Sequence, residues 1–237
     1  MNHGSAIERV KSLRGKFIVL DGPDGAGKSA QSARLMRALS DAEVPAIACR
    51  DPGSTVIGER IRSVLLDHDL SIMDANCETM LFMASRAQLV AEIIGPALAR
   101  GQAVICDRYV SSTCAYQGAA GYDPRKVVEL AKFALSDCWP DATIILDINP
   151  QLGFERIGRK ASRAGKNRKA DADQGSLIPG ATTDAMEARP LEFHRRVRDL
   201  FLELPAFYPR PVMIVDATAD VNEVFERIME ALHSVLG

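Results

Sequence analysis

The stretch "FIVLDGPDGAGKSAQ", residues 17–31, decides the fold. Phe17–Leu20 is a short apolar run of the kind that forms a strand buried on both faces, whereas Ala30–Leu39 has the composition of a helix. A loop with Gly22, Gly25 and Gly27 joins them. Gly22, Gly27, Lys28 and Ser29 complete the spacing G-x-x-x-x-G-K-[ST]. Glycines let successive backbone N–H groups face an anion, and the helix that follows adds the positive end of its dipole. The whole loop, Gly22, Pro23, Asp24, Gly25, Ala26, Gly27, Lys28 and Ser29, is therefore expected to cradle the phosphates of a nucleotide. Lys28 is expected to reach the outer phosphates and Ser29 to ligate magnesium.

Outward from the loop, short apolar runs alternate with helical patterns along the chain, the signature of a mostly parallel sheet with helices on both faces. The expected strands are "FIVLD", "PAIAC" (Pro45–Cys49), "AVICD" (Ala103–Asp107), "TIILD" (Thr143–Asp147) and "VMIVD" (Val212–Asp216). Four of the five close on aspartate. Ligands gather beyond the carboxyl ends of strands in such sheets, so Asp21, Asp107, Asp147 and Asp216 are expected at the site end, some of them as caps or braces. Further helices are expected at Asn76–Arg100 with Pro96 kinking its last turn, and at Pro124–Ser136, Gln151 to about Ala161, Glu187–Leu204 and Asn222–Leu236. No repeat or second core is visible. Residues 1–15 read as a floppy extension and 16–237 as a single domain.

The chain has 237 residues, 47% of them apolar, with 29 basic and 31 acidic side chains for a net charge of −2. That balance gives no sign of a nucleic acid or an acidic membrane as partner. Five cysteines without C-x-x-C spacing argue against a disulfide framework and a zinc site, and Cys49 and Cys106 read as core residues. No apolar run approaches the ~20 residues of a membrane span, and the amino terminus lacks the apolar centre of a signal peptide. The cytoplasm is the expected compartment. Residues 158–183 differ from the rest: Arg159, Lys160, Arg163, Lys166, Arg168 and Lys169 precede the first acid, Asp171, in a stretch of little periodicity. A solvated loop and an anion-gripping mobile lid both fit it; the phosphate loop favours the lid.

A second constellation must say what the loop serves. No N-K-x-D motif for reading guanine is present. "VICDRYVSSTCAYQG", Val104–Gly118, puts Asp107 at a strand end beside Arg108, a metal organiser next to a bidentate phosphate clamp, although a strand-end ion pair is also a common structural device. Together "DGPDGAGKSAQ", "CRDPGSTVIGERIRSVLL", "ETMLFMASRAQLVAEIIGPALARGQAVICDRYVSSTCAYQGAAG", "CWPDATIILDINP" and "LEFHRRVRDLFLEL" resemble the thymidylate kinase family, in that order and at fitting separations, over most of the chain from Lys16 onward.

The resemblance implies a three-layer P-loop kinase fold of α/β class with a five-stranded sheet, and phosphoryl transfer from ATP to dTMP with magnesium. It implies catalytic roles for Lys28, Arg108 and Asp24, with Asp107 joining Ser29 at the metal. It also implies that Phe82 stacks on thymine, Arg86 bonds its carbonyl edge, Arg108 holds the dTMP phosphate and Asp24 accepts from the 3′ hydroxyl. Ser112 and Thr113 approach the base, and Tyr116 crowds the 2′ position. A homodimer is implied as well. In the family a mobile arginine comes from the phosphate loop or from the lid; Gly25 stands at the loop position, which points to the lid and to Arg159 or Arg163, with Arg168 further out. Here the lid ending reads "TDAMEARPLEFH", with Ala185 in place of arginine, while Asp51 and Ser54 stand where Glu and Gly are commoner, and Ala30 where threonine is frequent. A kinase for another pyrimidine monophosphate and a nucleotide-binding regulatory module without transfer activity are the alternatives.

Overall fold

The computed structural model describes residues 3–66, 73–158 and 189–237, with side chains from residue 7 onward. The expected lid lies outside the described residues apart from Gly158, and so do Arg159, Arg163 and Arg168. Along the chain run α1 (His3–Lys11), β1 (Phe17–Asp21), α2 (Lys28–Asp41), β2 (Ala46–Arg50), α3 (Val56–Leu65), α4 (Ala75–Leu89), a π turn (Val90–Ile94) and α5 (Gly95–Ala99). There follow β3 (Ala103–Asp107), α6 (Val110–Ala119), α7 (Pro124–Ala134), β4 (Ala142–Asp147), α8 (Pro150–Arg156), α9 (Leu191–Glu203), β5 (Val212–Asp216) and α10 (Val221–Leu236). All five expected strands form, within one residue of their expected bounds.

The strand order is β2-β3-β1-β4-β5, and every ladder is parallel. Alternate residues of the strands feed two cores. Phe17 and Val19 of β1 face Val104 and Cys106 of β3 and the helices carrying Met83, Val127 and Phe201. Ile18 and Leu20 face the other way, toward Leu35, Leu39, Ile228 and Leu232. Because both faces of the three central strands are covered, β1, β3 and β4 read as continuous apolar runs, while the edge strands β2 and β5 are only partly buried. This three-layer α/β arrangement is the fold the sequence led to expect.

Three local expectations need correction. The segment expected to be a floppy extension is helical from His3, and Val10 and Leu13 are buried in the core that α2 and α10 share. Helices α3 and α6 were not expected. Thr55 caps α3 by accepting from Gly58 N–H. In α6, Val110, Ser111, Thr113, Cys114, Ala115, Tyr116 and Gln117 are all buried, so no polar face marks its period. At Pro96 the irregularity of the helix lies in the turn before the proline. Lacking an N–H for the preceding turn, the proline follows a widened π turn in which Gly95 N–H donates to Val90 C=O.

The segment Ala75–Ala99 is one helix that by length and composition alone could cross a membrane, and a third of its most apolar window is buried in this fold. Met83, Leu89, Ile94 and Ala97 occupy the core, while Met80 is 56% exposed. Cys49 and Cys106, expected in the core, are buried register partners on β2 and β3.

Candidate active site

The parallel order sets the carboxyl ends of β1 and β3 side by side, with Leu20 in register with Asp107. From β1 the chain turns through Gly22 (φ 133°), Gly25 (φ 76°) and Gly27 (φ 91°) into α2. A side chain at Gly22 would put its Cβ 2.5 Å from the Leu146 carbonyl oxygen, so glycine is required by space as well as by φ. Asp21 is fully buried behind the loop; its carboxylate accepts from Gly22 N–H (2.8 Å), Ser112 Oγ (2.7 Å) and Ser111 Oγ (2.5 Å).

Lys28 is only 8% exposed and folds back over the loop, donating from Nζ to the carbonyls of Gly22 and Pro23, both at 2.9 Å. Burial, reinforced by the nearby Arg108 charge, brings its pKa from 10.5 down to about 8. Above pH 10.5 folded and unfolded chains are alike at this group. As pH falls toward 8 the unfolded chain takes up a proton that the folded chain does not, so stability is lost across that window; below it the cost stays constant, at about 3 kcal/mol. An anionic ligand in the loop reverses that cost.

Arg108, the residue after β3, is in a left-handed conformation (φ 68°), a strain of about 1 kcal/mol for a residue other than glycine. It does not bond its neighbour Asp107. Its guanidinium meets Asp24 Oδ1 at 2.6 Å, Ser112 Oγ at 3.1 Å and the Tyr116 hydroxyl at 3.4 Å, and lies 5.1 Å above the Tyr116 ring. Tyr116 in turn donates to Asp24 Oδ2 (3.1 Å). Burial alone raises a carboxyl pKa, but the Arg108 and Lys28 charges outweigh it and hold Asp24 below its ordinary range. His194 of α9 stands beneath the same carboxylate, its Nδ1 3.7 Å from Oδ2.

Asp24, Phe82, Arg108, Ser112, Thr113 and Tyr116 line one cleft beside the loop. Sequence reading had named all six. It missed the other walls, Asp51, Pro52, Arg62, Leu66 and Gln117. Gln117 donates to Glu78 (3.2 Å), and its carbonyl oxygen is buried without a partner. Its signal was present, since it follows Tyr116 in the quoted segment.

Arg86 does not line the cleft. It is 1% exposed behind the wall, donating from Nε to Asp51 Oδ2 (2.7 Å) and from Nη2 to Tyr109 C=O and Thr113 Oγ1, both at 3.1 Å. Burial pushes the Asp51 carboxyl up and Arg86 only partly offsets this, whereas for Arg86 burial is the largest single influence but the charge and hydrogen bond of Asp51, together with Tyr109 and Tyr208, outweigh it. Asp51 is thus the counter-ion of a buried arginine. Ser54 fixes the same turn by accepting from Arg50 N–H (2.8 Å).

Asp107 faces the loop. Its Oδ2 accepts from Ser29 Oγ at 3.0 Å, and its Oδ1 is buried without a partner. An orphaned carboxylate oxygen beside a loop hydroxyl suits a hard divalent cation such as magnesium, which keeps several waters and takes phosphate oxygens. No set of three or more Asp, Glu, His or Cys side chains among the described residues forms a metal cage. The other two strand-end aspartates are braces: Asp147 receives both arms of Arg198 (2.6 and 2.8 Å), and Asp216 is held by Arg227 and Thr218.

The loop, the cleft and the sheet that joins them fall within the region shared with known proteins. The thymidylate kinase family model matches residues 20–228. A thymidylate kinase of Nitratidesulfovibrio vulgaris is 37% identical over 221 residues, covering 93% of this chain and 97% of the relative. One of Deinococcus radiodurans is 37% identical over 220 residues, covering 92% and 97%. One of Clostridium novyi is 35% identical over 216 residues, covering 91% and 97%. With the phosphate loop and its facing cleft inside a match of that extent, the chain belongs to the thymidylate kinase family.

Proposed function

We propose that this chain transfers the γ-phosphoryl group of ATP to dTMP, giving ADP and dTDP, with magnesium. The observation that carries the proposal is the junction of two half-sites: Asp24 belongs to the phosphate loop, yet its carboxylate is bonded to Arg108 and Tyr116 of the facing cleft. A donor in the loop and an acceptor in the cleft therefore meet at Arg108.

The reaction needs little acid–base help, because the attacking phosphate oxygen is already ionised at neutral pH. What the protein supplies is alignment and positive charge. Lys28 takes the outer phosphates of ATP, leaving the Gly22 and Pro23 carbonyls as it does so. Arg108 holds the dTMP phosphate. Ser29 and Asp107 would hold the magnesium ion, which when bound neutralises charge on the ATP phosphates. Asp24 has lone pairs left for the 3′ hydroxyl, and Tyr116, pinned by Asp24, crowds the 2′ position against ribose. Phe82 gives the base a stacking face, and the free carbonyl of Gln117 fits its ring N–H. Arg86 is proposed to bond the base carbonyl through Nη1, which among the described residues meets only the Met83 sulfur (3.3 Å); being buried behind the cleft wall, it is uncovered by a shift of that wall when dTMP binds. With Gly25 in the loop, the remaining cation is proposed to come from Arg159 or Arg163.

The test is coupled ADP-release assays with dTMP, dUMP, UMP and AMP. Turnover is expected to be highest with dTMP and to fall at least ~10-fold for UMP, which carries the 2′ hydroxyl and lacks the base methyl. Equal turnover with another monophosphate, or none with any, would overturn the reading.

We also propose a homodimer. Met80 on α4, Val64 on α3 and Phe133 on α7 are exposed apolar side chains, and α4 packs against both α3 and α7. A second copy is the occupant that gives these helices a matching apolar surface. Sedimentation equilibrium is expected to give twice the chain mass of 25.7 kDa, and a monomer at micromolar concentration would contradict it. The five unpaired cysteines fit a reducing compartment, and the cytoplasm is proposed.

A further inference from the structure

We infer that Gly153, on α8 and packed against the back of the phosphate loop, is a positioning residue for the acceptor half of the site. The inference rests on the proposed function. Its basis is a reciprocal backbone approach between the phosphate loop and α8. A Cβ built on Gly25 would lie 2.6 Å from Gly153 Cα and nearer still to its carbonyl oxygen. A Cβ built on Gly153 would overlap the Asp24 carbonyl oxygen. Both obstacles are backbone, which cannot swing aside as a side chain can. Neither position therefore has room for a side chain unless the loop and the helix part.

The consequence runs through Asp24. Its carbonyl lies against Gly153, and its carboxylate holds Arg108 at 2.6 Å and Tyr116 at 3.1 Å. Whatever moves the Asp24 backbone moves the group that orients the phosphate clamp and the sugar wall together. Helix α8 itself is held firmly: Asn149 caps it, Phe154 is buried against His194, and Arg156 donates to the carbonyls of Ala217 and Thr218 at 2.8 Å each. With α8 anchored at both ends, an added methyl group at Gly153 pushes the loop rather than the helix. The same contact explains on physical grounds why position 25 carries no arginine here: its φ of 76° and the Gly153 carbonyl exclude any side chain.

The test compares Gly153→Ala with Gly101→Ala. Gly101 has φ 70° and open space around its Cβ position, and it precedes β3 at the far end of the sheet, so its variant loses stability without touching the site. Gly153→Ala is expected to raise KM for dTMP and lower kcat, together by on the order of 10–100-fold in kcat/KM, while keeping a cooperative thermal transition. Gly101→Ala is expected to keep wild-type kcat and KM. In an Asp24→Asn background, the Gly153→Ala effect on KM for dTMP is expected to shrink to less than threefold, since the group it acts through is already altered. Wild-type kinetics in Gly153→Ala, an undiminished effect in the Asp24→Asn background, or loss of its cooperative thermal transition would each overturn the assignment. Inactivity of the wild-type protein on dTMP would overturn the proposed function instead.

Discussion

Lys28→Ala is expected to lower the turnover number by ~10³-fold or more while dTMP affinity changes by less than about threefold. Lys28 is the only side chain of the loop that carries positive charge, and its Nζ sits over the Gly22 and Pro23 carbonyls on the donor side. The base and sugar walls, Phe82, Tyr116 and Gln117, lie in the cleft on the other side of Asp24. Proton counting gives a second readout. With a pKa of about 8, Lys28 is half neutral at pH 8 in the free protein, and bound phosphates restore its charge. ATP binding is then expected to take up roughly half a proton per site at pH 8 and nearly none at pH 6.5, with Lys28→Ala showing no such uptake. Calorimetry in buffers of different ionisation enthalpy reads this directly. An inactive variant that also loses dTMP, or wild-type protein with no uptake at pH 8, would contradict the division of the site.

Arg108→Ala is expected to cost both activity and stability. It removes the group that bridges the two half-sites, so turnover should fall by ~10²-fold or more and KM for dTMP should rise. It also leaves Asp24 buried without its closest counter-ion, at a cost of about 3 kcal/mol near neutral pH. The sign with pH separates these effects. In the wild type the Asp24 pKa is held below its unfolded value, so the carboxylate contributes stability above about pH 4 that is lost as pH falls through the lowered pKa. Without Arg108 the burial cost is no longer outweighed, and ionising Asp24 becomes unfavourable as pH rises. The gap between variant and wild type is thus already present at pH 4, where the wild-type carboxylate is ionised, and is expected to widen toward pH 7. Denaturant unfolding at the two pH values checks it; an equal gap at both would mean that Arg108 does not hold the Asp24 charge.

The one-dimensional pattern determined a good deal. Five apolar runs placed five strands; in the central three, residues buried on both faces of the sheet leave no polar period to misread. The phosphate loop was legible because its glycines, Lys28 and Ser29 are contiguous and their chemistry is local. Phe82 and Tyr116 could be assigned to the acceptor side only through the resemblance, since a phenylalanine or a tyrosine on a helix is ordinary in any core. Tertiary structure alone decided the rest, and each case involves partners distant along the chain. Helix α6 has no amphipathic period because it is buried nearly all round. Arg108 and Asp107 look like a neighbouring ion pair in the sequence, yet a left-handed turn at Arg108 sends them apart, one to Asp24 and one to Ser29. Arg86 finds Asp51, 35 residues away, behind the wall of the cleft. The contact of Gly25 with Gly153 spans more than half the chain, and a glycine in a sequence shows that a side chain is absent but not what occupies its place. Apolar periodicity tells each residue which way to face; which backbone waits on that side is fixed only when the layers pack.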